Sequence, residues 1–230
     1  MDEHKRRCLA LMDIPVWIRR DRGAGATVAA AEDAAGPGAP ARDPSSELAA
    51  MAEEVAGCTR CALHHGRTRA VFGVGDPRAQ LMVVGEAPGA DEDRQGKPFV
   101  GRAGRLLDAM LRAIGLERDG VYITNIVKCR PPSNRDPRPE EAAACQAFLR
   151  RQIELIAPRV ILAVGRVAAQ NLLETTASVG SLRGQRLSYE ATESPIPVVV
   201  TYHPAYLLRT PVQKRRAWDD LRAARALLAE

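Results

Sequence analysis

Apolar positions along the chain fall into short blocks separated by polar, turn-forming stretches. Leu81-Met82-Val83-Val84 is an unbroken apolar run that ends at Gly85, and a run of that length bounded by turn residues predicts a strand buried on both faces. Similar blocks predict strands at 121–127, 160–164 and 197–201. Between them the spacing changes to the period of a helix. Arg102 to Ile114, Pro139 to Ile156 and Arg166 to Leu173 read as helices, and Gln213 to Leu228 as a last one that turns Trp218, Leu221, Leu227 and Leu228 to the core. An earlier helix opens at Ser45, a capping residue, with Leu48, Met51 and Val55 at helical spacing. A Gly-containing segment, Ser181 to Tyr189, reads as hairpin-like. Strands that alternate with helices in this way predict an α/β fold, a three-layer αβα arrangement around a central, mainly parallel, four-stranded sheet.

The pattern also divides the chain. Residues 1–22 carry an apolar set that includes Trp17, followed by Arg19, Arg20 and Arg22, and read as a short docked helix or a recruitment peptide for a protein partner. From 23 to 44 the composition shifts to Ala, Gly and Pro with almost no large apolar residue, which predicts a disordered linker. The catalytic or binding domain is then 45–230. With 33 Lys and Arg against 28 Asp and Glu, the net charge is +5, a balance that suits a polyanionic partner without requiring one. The N-terminus is charged and no apolar run is long enough for a membrane span, so the expectation is a soluble cytoplasmic protein with no membrane partner.

Two features carry chemistry. The stretch after Gly85 holds two further glycines, two prolines and four carboxylates before Phe99, and a loop of this kind after a buried strand is where open α/β sheets place ligands. Phe99 is one of three phenylalanines and sits in this polar loop; it reads equally as a satellite core residue or as a flat face for a planar ligand. The second feature is the thiols. Cys58 and Cys61 form a C-x-x-C, Cys129 follows the second strand, Cys145 falls within a helix, and Cys8 is spare in the tail. In a reducing compartment this set reads as a four-thiolate site, and one close pair plus two singles leaves zinc and iron–sulfur both open.

Three separated segments, GEAPGADEDRQGKPFVGRAG, YITNIVKCRPPSNRDPRPEEAAAC and VTYHPAYLLR, together with the four cysteines in order, resemble the iron–sulfur branch of the uracil-DNA glycosylase superfamily, often called family 4. The resemblance covers Ser45 to the C-terminus. It implies a DNA repair enzyme that flips uracil out of single- or double-stranded DNA and hydrolyses its N-glycosidic bond, at the cost of a few kcal/mol of stacking and pairing. By this resemblance Phe99 stacks on uracil, Asn125 reads the O4 and N3–H edge, and His203 donates to O2 as the base departs. Glu86 and Glu92 are the acids that orient water or stabilise the sugar cation. Ala87 lies against uracil where the best-known branch carries a water-activating aspartate, so the water-activating group is open.

The same resemblance makes Leu207 and Leu208 an apolar wedge into DNA, although one of the two is expected to pack under the last helix, Arg209 a phosphate contact, and Arg130, Arg135 and Arg138 a backbone-binding set. It implies one [4Fe-4S] cluster held by Cys58, Cys61, Cys129 and Cys145 in a structural role, and a monomer associated with the nucleoid when on DNA. No histidine occurs between Asn125 and Cys145, so turnover rather than covalent capture is expected. Two other classes are weighed against it. A silent zinc protein that binds nucleic acid explains the thiols but not Phe99, Asn125 and His203, and an iron–sulfur electron carrier lacks a second redox site.

Overall fold

The computed structural model describes residues 43–192 and 194–229. The segment 1–22 and nearly all of 23–44 lie outside the described residues. The described part opens with helix α1 (Pro44–Gly57), then a short strand β1 (Val74–Gly75) and strand β2 (Leu81–Gly85). Helices α2 (Ala90–Gln95) and α3 (Arg102–Ala113) lead to β3 (Tyr122–Asn125), α4 (Pro139–Ile156) and β4 (Val160–Val164). Helices α5 (Arg166–Leu172) and α6 (Val179–Leu182) precede β5 (Leu187–Tyr189) and β6 (Ile196–Thr201), and α7 (Pro204–Arg209) and α8 (Lys214–Ala229) close the chain.

The sheet has six strands in the order β1-β3-β2-β4-β6-β5, so the expected four are the parallel centre and two short antiparallel edges are added. β2 pairs in parallel with β3 on one side and β4 on the other, and β4 pairs in parallel with β6. The edges, β1 against β3 and β5 against β6, are antiparallel. Every residue of β2, β3 and β4 is buried, which is why β2 and β4 read as continuous apolar runs, while β3 ends in the buried polar pair Thr124 and Asn125. Successive side chains divide between two cores. Met82 and Val84 pack with Leu149 and Ile153 of α4 and Ala168 of α5, whereas Leu81 and Val83 pack with Leu107 and Leu111 of α3 and Leu221 of α8. This is the expected αβα sandwich.

One side chain departs from expectation, and one open choice is resolved. Trp218 is exposed rather than in the core, because the buried arc of α8 runs through Ala217, Leu221 and Ala224, and residue 218 lies one helical step off that stripe. Leu207 is buried beneath α8 while Leu208 is exposed. Consecutive helix positions point about 100° apart, so they cannot share a face. No helix among the described residues is long and apolar enough to cross a membrane.

Candidate active site

The registers Gly85↔Asn125 and Val164↔Thr201 bring the carboxyl ends of all four parallel strands to one edge. The chain runs from β2 to β3 on one side and then crosses to β4 on the other side of β2, so β2 marks the reversal of strand order where such sheets bind ligands. Glu86 and Ala87 follow β2, Asn125 ends β3, and His203 lies two residues beyond β6. The elements that the separated motifs predict thus converge.

Asn125 is 1 % exposed, and its side-chain Oδ1 has no hydrogen-bond partner among the described residues. An orphaned carbonyl oxygen in such a place costs about 1–3 kcal/mol, and it is tolerated where a ligand donor will meet it. Its backbone is fixed from below. Lys128, fully buried, donates from Nζ to the Asn125 carbonyl at 2.9 Å, to Thr124 Oγ1 at 2.6 Å and to Gln152 Oε1 at 2.6 Å, and burial lowers its pKa to about 7. Gly85 lies directly against the asparagine amide and the Phe99 ring. A Cβ there would collide with Asn125 Oδ1 and come within 2.6 Å of Phe99 Cζ, so the absent side chain defines a slot between the amide and the ring.

Phe99 is buried, and its ring centroid lies 5.6 Å from that of His203 at an interplanar angle of 31°. Its φ of 51° is left-handed, a conformation that costs a non-glycine residue about 1–3 kcal/mol and persists where surroundings impose it. Glu92 takes part in that. Its Oε1 accepts from Val100 N at 2.9 Å and Gly101 N at 3.0 Å, so one of the two expected acids is committed to the loop that carries Phe99. Asp93 is buried on the same short helix and accepts from the amides of Thr68 and Arg69, which ties that helix to the segment ahead of β1.

His203 caps α7, and its Nδ1 accepts from Ala205 N at 3.1 Å. That contact places the ring proton on Nε2. Desolvation, with Arg209 next and Glu92 opposing, lowers its pKa to about 4, so the ring is a neutral donor at neutral pH. Gly165, at φ 99°, lets the histidine approach, since a Cβ there would meet His203 Cβ at 3.0 Å. The strand end is held by Arg183, which donates to both carboxylate oxygens of buried Asp220 at 2.7 and 2.8 Å and stacks over Tyr202.

Glu86 is half-buried. Burial first, and then the facing Asp136, raises its pKa to about 7, with Arg166 opposing. Asp136 faces Glu86 and is itself paired with Arg166. Sequence reasoning missed Asp136 as a site residue, because its partner is remote in sequence and only the fold of the Pro-rich loop joins them. Ala87 packs partly buried beside Glu86. Among the expected DNA contacts, Leu208 and Arg209 are exposed on α7, Leu207 is not, and Arg130 Nε donates to Asn134. Arg135 makes a bidentate pair with Glu141 at 2.8 and 2.6 Å, so its guanidinium already has a partner.

The four cysteines line one small cavity with Val55, His64, Lys128, Ala144 and Phe148. Burial raises the pKa of Cys129 and Cys145, and Arg67 Nη1 donates to Cys129 Sγ at 2.9 Å. Yet among the described residues no three metal-binding side chains are close enough to hold one ion. A tetrahedral zinc with Zn–S near 2.3 Å would draw its sulfurs to about 3.8 Å from one another. Four thiols around one cavity are a donor set that suits an iron–sulfur cluster as well as a tetrahedral zinc.

Residues 72–222 match the family model described as the uracil DNA glycosylase superfamily. The chain is 45% identical to a type-4 uracil-DNA glycosylase of Sulfurisphaera tokodaii over 78% of its own length and 84% of the relative's. It is 46% identical to a type-4 enzyme of Archaeoglobus fulgidus, with 75% and 88% covered. A type-5 uracil-DNA glycosylase of Thermus thermophilus is 38% identical over 55% of this chain and 64% of its own. With its Asn125, Phe99 and His203 gathered at the reversal point of the sheet, the chain belongs to the uracil-DNA glycosylase superfamily.

Proposed function

We propose that this protein is a DNA repair glycosylase that takes uracil out of the helix and hydrolyses its N-glycosidic bond, leaving an abasic site. The observation that carries the reading is the buried Asn125 amide with an unpartnered Oδ1, set beside the Phe99 ring across the slot at Gly85. Uracil brings an N3–H donor to that oxygen and an O4 acceptor to the amide NH2. Cytosine brings the reverse, which would leave buried polar groups unpaired at about 1–3 kcal/mol each.

Bond cleavage places negative charge on uracil, largely at O2, and positive charge on the sugar. The neutral His203 offers Nε2–H to O2 and costs no proton transfer, a fixed donor aimed where charge develops. Glu86, with a pKa near the operating pH, is suited to orient and deprotonate water, and Asp136 with Arg166 sets its orientation. Glu92 acts by holding the Phe99 loop and by facing His203 with a negative charge. Ala87 lies along the uracil slot. Leu208 replaces the lost stacking in DNA, with Arg209 and Arg130 on phosphates.

Cys58, Cys61, Cys129 and Cys145 would hold one [4Fe-4S] cluster, supported by their common cavity. When bound, the cluster supplies a structural tie between α1, the end of β3 and α4, and uracil excision moves no electrons. The reading also takes the protein as a monomer acting on single- or double-stranded DNA in the nucleoid, with 1–22 as a recruitment peptide. The test is release of free base from oligonucleotides containing one uracil, followed by chromatography, with iron and acid-labile sulfide measured on the same preparation. Uracil alone should be released, with about four iron and four sulfide per chain. Release of cytosine or thymine at a similar rate, or stoichiometric zinc in place of iron, would contradict it.

A further inference from the structure

Phe99 sits in a backbone conformation that it would not choose alone, and what holds it there includes a residue outside all three motifs. On the side that follows the ring, Glu92 accepts from Val100 and Gly101. Beneath the ring residue, Gly104 leaves room for the Phe99 carbonyl, which any Cβ at that position would strike. On the side that precedes, Arg118 reaches across from the turn ahead of β3. Its Nη1 donates to Phe99 O at 3.2 Å and its Nη2 to Pro98 O. The guanidinium is fixed in turn by Asp108 Oδ1 of α3 at 2.8 Å.

We propose that Arg118, backed by Asp108, is a positioning residue that fixes the Phe99 ring against the base. It rests on the reading of Phe99 as the stacking face. The chemistry asks for arginine in particular. Two consecutive main-chain carbonyls and one carboxylate are met at once by a planar fork of five donors, whereas a lysine is a single mobile point charge. With these carbonyls released, Phe99 is free to relax toward ordinary φ and swing its ring away from the slot.

Full-length protein is tested as wild type, Arg118→Ala, Arg118→Lys, Phe99→Ala and the Arg118→Ala/Phe99→Ala double variant, by single-turnover uracil excision and by amide hydrogen exchange of residues 96–104. Arg118→Ala should lower the single-turnover rate about 10- to 100-fold, the scale of a displaced contact group. Arg118→Lys should recover part of the loss. In the Phe99→Ala background the Arg118→Ala loss should nearly vanish, because the two act through one ring. Exchange at Val100 and Gly101 should accelerate about tenfold while the central strands keep their protection. An equal loss with and without the Phe99 ring, or unaltered exchange in Arg118→Ala, would overturn the proposal. If wild type releases no uracil, the glycosylase reading fails, and the exchange measurement still decides whether Arg118 holds the loop.

Discussion

Replacing Gly85 with alanine is the smallest change that should close the pocket without touching any group that donates, accepts or carries charge. The new methyl would stand 2.6 Å from Phe99 Cζ and 2.7 Å from Cε2, where ordinary contact begins at 3.4 Å, a shortfall of about 0.8 Å against the ring. On its other side it would strike Asn125 Oδ1. Both neighbours are buried and cannot rotate into solvent. Overpacking of this kind costs about 1–3 kcal/mol of stability, and displacing a recognition group by nearly 1 Å costs about 100-fold in rate. The loss should appear in single-turnover excision with the melting transition still cooperative. A rate within twofold of wild type, in a folded protein, would refute the idea that the amide and the ring bracket the base at Gly85.

Further expectations follow from the same geometry. Asn125→Asp keeps the shape of the side chain but replaces the NH2 donor with an acceptor, so uracil excision should fall at least about 100-fold and the preference for uracil over cytosine should shrink, as read by released base. Glu86 has its pKa raised from 4.5 to about 7, so the excision rate should rise with pH to a plateau above about 7, and Glu86→Gln should be slower and lack that inflection. His203, lowered to about 4, adds no inflection there. For stability the sign is opposite, because folded Glu86 holds its proton between 4.5 and about 7 while the unfolded chain has lost it. The Glu86 contribution therefore falls as pH rises through this window, and the wild-type minus Glu86→Gln unfolding free energy should show that slope. Asp220→Ala should destabilise by about 3–5 kcal/mol because it strands Arg183 beside a buried hydrogen-bonded gap, measured by denaturant unfolding.

The central strands are readable from the chain because burial on both faces removes every polar position from Leu81–Val84 and Val160–Val164. The edge strands are less so. β1 is only Val74 and Gly75, with positive φ at Gly73 and Gly75, and holds too little alternation to register, whereas β5 is three half-buried residues within the hairpin-like segment Ser181 to Tyr189 and pairs antiparallel with β6. Cys58, Cys61, Cys129 and Cys145, Phe99, Asn125 and His203 are legible because motif and position in the alternating pattern agree. Asp136 and Arg118 act through contacts made only when the chain folds, one with Glu86 and the other with the Pro98 and Phe99 carbonyls. Nothing in local sequence distinguishes them from surface charges. Leu207 and Leu208 show the same limit on a smaller scale, since adjacency hides which of the two faces α8.

The most direct test of the account compares wild type with His203→Ala and Asn125→Ala on an end-labelled oligonucleotide containing a single uracil, in protein with its iron content verified. Wild type should produce an alkali-labile break at the uracil, and both variants should lose at least about 100-fold in single-turnover rate, the scale of one fixed donor to a developing oxyanion. Wild-type rates in both variants, or no break with intact wild type, would contradict the claim that this cleft excises uracil.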